Sequence, residues 1–115
     1  MELDATHRLA VYGTLRPGRS NHHELADIDG EWLRGTVRGT LYDDVNWGPA
    51  AGYPGLVLDP EGPPVEVDLL QAAGLPDHWP RLDAFEGDGY RRVITEVITA
   101  SGPVAACIYT IKPPE

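Results

Sequence analysis

Residues 90–111 read YRRVITEVITASGPVAACIYTI, and this stretch decides the fold. From Tyr90 to Thr99, Val and Thr side chains alternate with Ile and Glu side chains, which is the period of a β-strand. Ser101-Gly102 then supplies a turn, and a second apolar run follows from Val104 to Ile111. The stretch therefore predicts two antiparallel strands joined as a β-hairpin.

Further short elements are predicted upstream of this hairpin, separated by turns rich in Gly and Pro. The predicted strands are Leu9–Tyr12, Trp32–Asp43 (one strand or two, bent at the glycines), Gly55–Leu58 and Val65–Leu70. One short helix is predicted to end near Ala26, and a second runs from Pro76 to Glu86, where Gly87 stops it. Strands dominate without regular strand–helix alternation, which argues against a doubly wound parallel sheet. We expect one domain over residues 1–115, of the α+β class but mostly β: a small mixed, closed or nearly closed β-barrel of six to seven strands with one or two short flanking helices.

The chain is acidic, with 18 Asp and Glu side chains against 9 Lys and Arg, and a net charge of −9. This charge repels phosphate backbones and anionic lipid surfaces, so we expect neither nucleic acid nor a membrane as a partner. No apolar run approaches the length of a membrane span, and the first residues lack the apolar region of a signal peptide. We therefore predict a cytoplasmic protein, either a monomer or a homodimer.

The turn after the first strand is one candidate for binding. It reads Tyr12-Gly13-Thr14-Leu15-Arg16-Pro17-Gly18. A turn with Gly at the end of a strand can present successive backbone N–H groups to a small anion such as a carboxylate. The sequence lacks the Gly-Lys-Ser/Thr that would make it a P-loop, and this segment taken alone is more typical of an ordinary strand-to-loop turn.

Glu86 is the second candidate, because it shares a predicted helix face with apolar Leu82 and Phe85. Loss of hydration there would raise the pKa of the carboxyl group, which suits acid/base catalysis near neutral pH. Arg91 or Arg92 nearby would lower that pKa instead, and a surface or ion-paired Glu is the alternative.

Three segments, taken together, resemble the gamma-glutamylcyclotransferase-like (AIG2-like) family. They are Val11–Gly18 with Asn21-His22 soon after, Tyr53–Val57, and Leu82–Gly87 followed by Tyr90 and Arg92. The segments come in the order of the family, and the resemblance extends over about residues 9–111.

This resemblance implies a small mixed β-barrel with a cavity that binds a gamma-glutamyl group. It implies that Glu86 is the catalytic acid/base, and that the backbone of Tyr12, Gly13, Thr14 and Leu15 holds the alpha-carboxylate region. The implied reaction cyclises the gamma-glutamyl group to 5-oxoproline and releases an amine or an amino acid, with no metal and no cofactor. Other expected substrate contacts are Tyr53, Pro54, Gly55, Arg92 and Tyr109.

For the other reactive residues, the sequence gives weaker evidence of a functional role. His22 and His23 are adjacent and have no Cys or paired carboxylate motif beside them, so we predict no metal site. Cys107 lies in an apolar run and is expected to be a buried small hydrophobic residue. Trp47, in a loop of Gly and Pro, is a candidate for lining the pocket.

Two other functions remain open at this point. One is a related acyl-processing enzyme that uses the same site in a biosynthetic pathway. The other is a non-catalytic module that binds a small molecule without turning it over.

Overall fold

A computed structural model describes residues 4–13, 15–19, 22–42, 45 and 52–111, apart from the side chain of Asp88. Six strands and one α-helix lie in these ranges. They are β1 (Arg8–Val11), β2 (Glu31–Tyr42), β3 (Gly55–Leu58), β4 (Pro64–Gln71), α1 (Trp79–Glu86), β5 (Arg91–Thr99) and β6 (Gly102–Thr110). Single 3-10 turns occur at Ala5–His7, His22–Glu24, Leu75–His78 and Gly87–Gly89.

Five of these strands close into a barrel. The order is β2-β4-β1-β6-β5, and β5 pairs again with β2 through Gly35↔Thr99 and Thr36↔Ile98. β1 and β6 are parallel, whereas the other neighbours are antiparallel, so the barrel is mixed. β3 lies outside the ring and pairs with β2. The expectation of a mostly β barrel with a short helix is confirmed, and the closed ring itself uses five strands.

Gly35 allows the barrel to close. A Cβ atom at this position would lie 2.6 Å from Val97 Cγ1 and 2.8 Å from the carbonyl oxygen of Ile98. β2 therefore approaches β5 at a point where a side chain does not fit. This close approach lets one strand of twelve residues pair with β4, β3 and β5 along its length.

The apolar side chains form two main layers, one inside the barrel and one between the barrel and the helical segments. β1 shows the division, since Ala10 faces the barrel interior while Leu9 and Val11 face the outer layer. The interior also holds Val37, Val67, Leu69, Val97, Ala106 and Ile108, and Leu56 of β3 packs in the same cluster. The outer layer also holds Leu25, Leu70, Leu75, Trp79, Leu82, Cys107 and Tyr109.

The helix differs from its prediction at the start and agrees at the end. Leu75–His78 is a 3-10 turn, and the α-helix begins only at Trp79, with Pro80 in its first turn. Proline is tolerated there because the first N–H groups of a helix have no partner within the helix. Gly87 ends it with a φ of 75°, a conformation that side chains disfavour. No helix in the described ranges is long and apolar enough to cross a membrane.

Candidate active site

A cavity of about 420 Å³ opens beside the end of β1. This volume lies within the range of roughly 300–1,000 Å³ that is usual for small-molecule sites. Its walls come from residues 10–13 and Leu15 in β1 and the turn after it, Tyr53 and Pro54 ahead of β3, Phe85 and Glu86 at the end of α1, Tyr90, and Tyr109 on β6. The predicted helix end and the predicted turn therefore meet at one hollow.

Glu86 is the only charged side chain among these lining residues. It is the last residue of α1, and it is mostly shielded from water by the surrounding walls. Loss of hydration raises the pKa of Glu86 to about 7. A carboxyl group with this pKa exists in both protonation states near neutral pH, so it can accept a proton in one step and return it in another.

Four tyrosines line the cavity, and the hydroxyl groups of three of them, Tyr12, Tyr90 and Tyr109, have defined partners. Tyr12 donates to the carbonyl oxygen of Tyr109 at 2.6 Å and accepts from the backbone N–H of Leu56 at 3.2 Å. Tyr90 donates to the carbonyl oxygen of Pro54. Burial raises the pKa of all three phenols, that of Tyr90 to about 12, so they stay protonated at neutral pH. Tyr12 and Tyr90 thus tie the cavity walls together through backbone groups.

Tyr109 has a side-chain partner outside the cavity. Its hydroxyl group donates to Asp83 Oδ1 at 2.7 Å. The carboxylate of Asp83 also accepts from Arg92 Nε at 2.9 Å and Nη2 at 3.1 Å. Arg92 in turn stacks on the ring of Trp79, 4.4 Å from its centroid.

Arg92 and Gly55 do not line the cavity, although both were predicted as substrate contacts. The guanidinium of Arg92 is engaged by Asp83 and Trp79, as described above. At Gly55, a Cβ atom would lie 2.6 Å from Ile111 Cδ1 and 2.8 Å from Val45 Cγ2. The missing side chain therefore lets β3 pack closely on its neighbours.

The turn after β1 is anchored from outside the cavity. The N–H of Arg16 donates to the carbonyl oxygen of Gly13 at 3.2 Å, and Arg16 Nε donates to Asp68 Oδ2 at 2.7 Å. Tyr12, Gly13 and Leu15 all line the cavity, as do Tyr53 and Pro54. Thr14 and Trp47, both predicted to contribute, lie outside the described residues.

Sequence reasoning missed four lining residues: Ala10, Val11, Phe85 and Tyr90. Tyr90 and Phe85 flank the Gly87–Gly89 turn, so their closeness to Glu86 along the chain was an available signal. Ala10 and Val11 had no such signal, since both look like ordinary strand residues.

The His and Cys residues that were considered in the sequence lie in packing or hydrogen-bond contacts within the fold. His22 Nδ1 lies 3.1 Å from the carbonyl oxygen of Leu15. The centroid of the His22 ring lies 5.4 Å from the centroid of the Trp32 ring. Within the part of the chain that the structure describes, no three His, Cys, Asp or Glu side chains are arranged to hold a metal ion. Cys107 is buried in the outer layer, which confirms its interpretation as a small hydrophobic residue.

Solved structures share this fold. YkqA from Bacillus subtilis is similar with a TM-score of 0.71 and 32% sequence identity. The match covers 92% of this chain but 36% of YkqA, so the chain spans only a minor part of that protein's length. A protein from Arabidopsis thaliana is similar with a TM-score of 0.67 and 26% identity, over 91% of this chain and 68% of its own.

An AIG2-like protein from Mus musculus is similar with a TM-score of 0.70 and 24% identity, over 95% of this chain and 79% of its own. At this identity the likeness supports the fold alone. No curated protein matches the chain by sequence. Residues 9–115 match the family described as gamma-glutamyl cyclotransferase, AIG2-like, and this chain therefore belongs to that family.

Proposed function

We propose that this protein is a gamma-glutamyl cyclotransferase, which converts a gamma-glutamyl group to 5-oxoproline and releases an amine or an amino acid. The observation that carries the proposal is the placement of Glu86. A single carboxyl group, with its pKa raised to about 7, lines the same cavity as the turn after β1. Family membership supports the reaction type.

The reaction needs one group that handles protons. The neutral alpha-amine of the substrate attacks its own gamma-carbonyl carbon, and a new C–N bond closes a five-membered ring. The amine nitrogen becomes positively charged, and Glu86 in its ionised form accepts a proton from it. Glu86 then gives a proton to the leaving nitrogen as the original C–N bond breaks. Glu86 returns to its starting state, and the proton count balances.

The cavity contributes orientation. Both reacting groups belong to the same substrate, so the protein must fold that substrate until the amine faces the carbonyl carbon. The cavity walls, including the side chains of Tyr12, Tyr53 and Phe85, restrict the conformations of a bound molecule. Backbone N–H groups in the turn that contains Gly13 are the proposed contacts for the alpha-carboxylate, and they also suit an oxygen that gains negative charge.

The charges of the cavity walls are consistent with two separate roles: proton transfer by Glu86, and binding of the alpha-carboxylate by the turn that contains Gly13. The described lining residues carry no positive side chain, so the turn's amide dipoles remain the attraction for the alpha-carboxylate. Glu86 in its ionised form, the state in which it accepts the proton, attracts the positive charge that develops on the attacking nitrogen.

The test compares wild type with Glu86→Gln on a panel of gamma-glutamyl amines and gamma-glutamyl amino acids. The measured quantity is 5-oxoproline released, by chromatography. We expect Glu86→Gln to lower kcat by about 10²–10⁴-fold, because the amide does not exchange protons. Glu96→Gln, an exposed position on β5, is the matched control and should keep wild-type turnover.

Equal turnover in wild type and Glu86→Gln would overturn the role of Glu86. Wild type that binds 5-oxoproline and releases none from any compound in the panel would overturn the enzyme assignment. That second result would establish the binding module instead.

A further inference from the structure

Asp83 lies one helical turn before Glu86 on α1, and it is not among the residues that line the cavity. Its carboxylate accepts three hydrogen bonds, one from Tyr109 and two from Arg92. These bonds hold the pKa of Asp83 below its usual value, so the group is ionised at neutral pH. An ionised carboxylate only accepts hydrogen bonds, which makes Tyr109 the donor in their contact.

The strand register brings the two partners of Asp83 together. Arg92 on β5 and Tyr109 on β6 are directly opposite each other in the hairpin. Opposite residues of an antiparallel pair point to the same side of the sheet. This side faces α1, so Asp83 receives both side chains from one cross-strand pair.

The contact with Asp83 fixes the orientation of the Tyr109 hydroxyl group. A phenol has one proton to donate and can also accept. The proton of Tyr109 is committed to Asp83 Oδ1 at 2.7 Å. Tyr109 is 5% exposed, and it lines the same cavity as Glu86. Among the described residues no hydrogen bond is donated to the phenol oxygen, so its accepting side is available to a molecule in the cavity.

We propose that Asp83 is a positioning residue: it holds the proton of Tyr109 away from the cavity and leaves the phenol oxygen to accept a hydrogen bond from an N–H group of the substrate. This inference rests on the proposed function. A gamma-glutamyl amide has such donors at its alpha-nitrogen and at its scissile nitrogen, the two atoms between which Glu86 moves a proton. A phenol oxygen in this state cannot donate to a carboxylate, so Tyr109 also directs the alpha-carboxylate toward the turn after β1.

A different reading is that Asp83 only anchors α1 to the barrel through Arg92. The two readings make different predictions for combined variants. If Asp83 acts through the Tyr109 hydroxyl, its removal has no further effect once that hydroxyl is gone. If Asp83 acts by anchoring the helix, its removal lowers kcat/KM by the same factor in wild type and in Tyr109→Phe.

The experiment is a double-mutant cycle on kcat/KM for 5-oxoproline release, using the full chain. We expect Tyr109→Phe and Asp83→Ala each to lower kcat/KM about tenfold, the effect of one hydrogen bond in this setting. The double variant should show the same tenfold loss. An additive, roughly hundredfold loss in the double variant would overturn the proposal.

Asp83→Asn is the conservative variant that distinguishes position from charge. An amide oxygen at the Oδ1 position still accepts from both Tyr109 and Arg92 Nε, and only the bond from Arg92 Nη2 is lost, because the amide nitrogen then faces that donor. The reversed amide would lose the bonds from both Tyr109 and Arg92 Nε. We expect this variant to keep kcat/KM within about threefold of wild type. Arg81→Gln is the matched control, because Arg81 is also on α1 but pairs with Glu24 of the His22–Glu24 turn and does not line the cavity. The kcat/KM of this variant should not change.

A second measurement does not depend on turnover. The ¹³Cζ resonance of Tyr109 in tyrosine-labelled protein, assigned by its loss in Tyr109→Phe, reports the hydrogen bonding of the hydroxyl group at pH 7. It should move in Asp83→Ala and stay near its wild-type position in Asp83→Asn and Arg81→Gln. An unmoved resonance in folded Asp83→Ala would overturn the inference. Wild type that forms no lactam would instead overturn the proposed function, and the resonance would still decide what Asp83 does.

Discussion

Asp83 and Glu86 are two carboxylates one turn apart on the same short helix, yet their surroundings push them in opposite directions. Asp83 points to the barrel wall, where Arg92 and Tyr109 hold its pKa below the usual value. Glu86 points to the cavity, where burial without a compensating charge raises its pKa to about 7. The same helix thus holds Asp83 as a constant negative charge and Glu86 as a group that can gain or lose a proton near neutral pH. The difference comes from partners and hydration, because the two side chains have the same chemistry.

The largest expected effect on the difference between Asp83 and Glu86 comes from weakening the packing of α1 against the barrel. Leu82 is fully buried beneath α1, and Leu82→Ala should lower the free energy of unfolding by about 2–5 kcal/mol. Loss of this contact should loosen the seat of α1 and let bulk water reach Glu86, so the pKa of Glu86 should fall from about 7 toward its ordinary value. Chemical denaturation and ¹³C carboxyl titration measure the two effects.

Leu69→Ala is the matched control for this experiment. Leu69 is also fully buried, but it lies inside the barrel. Leu69→Ala should lower the free energy of unfolding by a similar amount and leave the pKa of Glu86 unchanged. A fall in that pKa in both variants would mean that general loosening, and not the seat of α1, sets it.

A smaller effect concerns the stability that the raised pKa of Glu86 costs. Between the model-compound value of 4.5 and about 7, the unfolded chain is ionised at this site while the folded chain keeps its proton. Stability therefore falls as pH rises through this window. Glu86→Gln removes the titration, so it should match wild type below pH 4.5 and be more stable above pH 7, by at most roughly 3 kcal/mol. Thermal unfolding at a series of pH values checks this, and equal stability at every pH would contradict it.

The smallest effect is expected at Asp83, with the opposite sign. Its pKa is lowered in the folded state, so the stability it adds is present above its unfolded value and is lost as pH falls through the folded one. The side chain is 45% exposed, and solvent weakens its pair with Arg92. Asp83→Asn should lower the free energy of unfolding by about 1 kcal/mol at neutral pH and by less in acid. The same loss at pH 7 and at pH 2.5 would show that charge is not its cause.

Sequence alone predicted the parts of the molecule that depend on local pattern. The alternation of Val93, Ile94, Thr95 and their neighbours predicted the β5–β6 hairpin, and the structure has those strands at nearly the predicted bounds. The apolar neighbours of Glu86 predicted a carboxyl group that burial would perturb. Both predictions rest on residues close together in the chain.

The parts that sequence did not predict depend on distant partners. Arg92 was expected at the substrate, but the register that sets it beside Tyr109 places it against Asp83 and Trp79. Gly55 was expected at the cavity, yet Ile111 and Val45 fill the space next to it. The start of α1 was also missed, because the pattern of apolar residues does not separate a 3-10 turn from an α-helical one.

The parallel pairing of β1 with β6 has a consequence for how the protein folds. The hydroxyl of Tyr12 reaches the carbonyl of Tyr109 across 97 positions of chain, and the cavity needs walls from both strands. The cavity is therefore complete only after β6 has paired with β1, and long-range strand pairing of this kind is slow compared with hairpin formation.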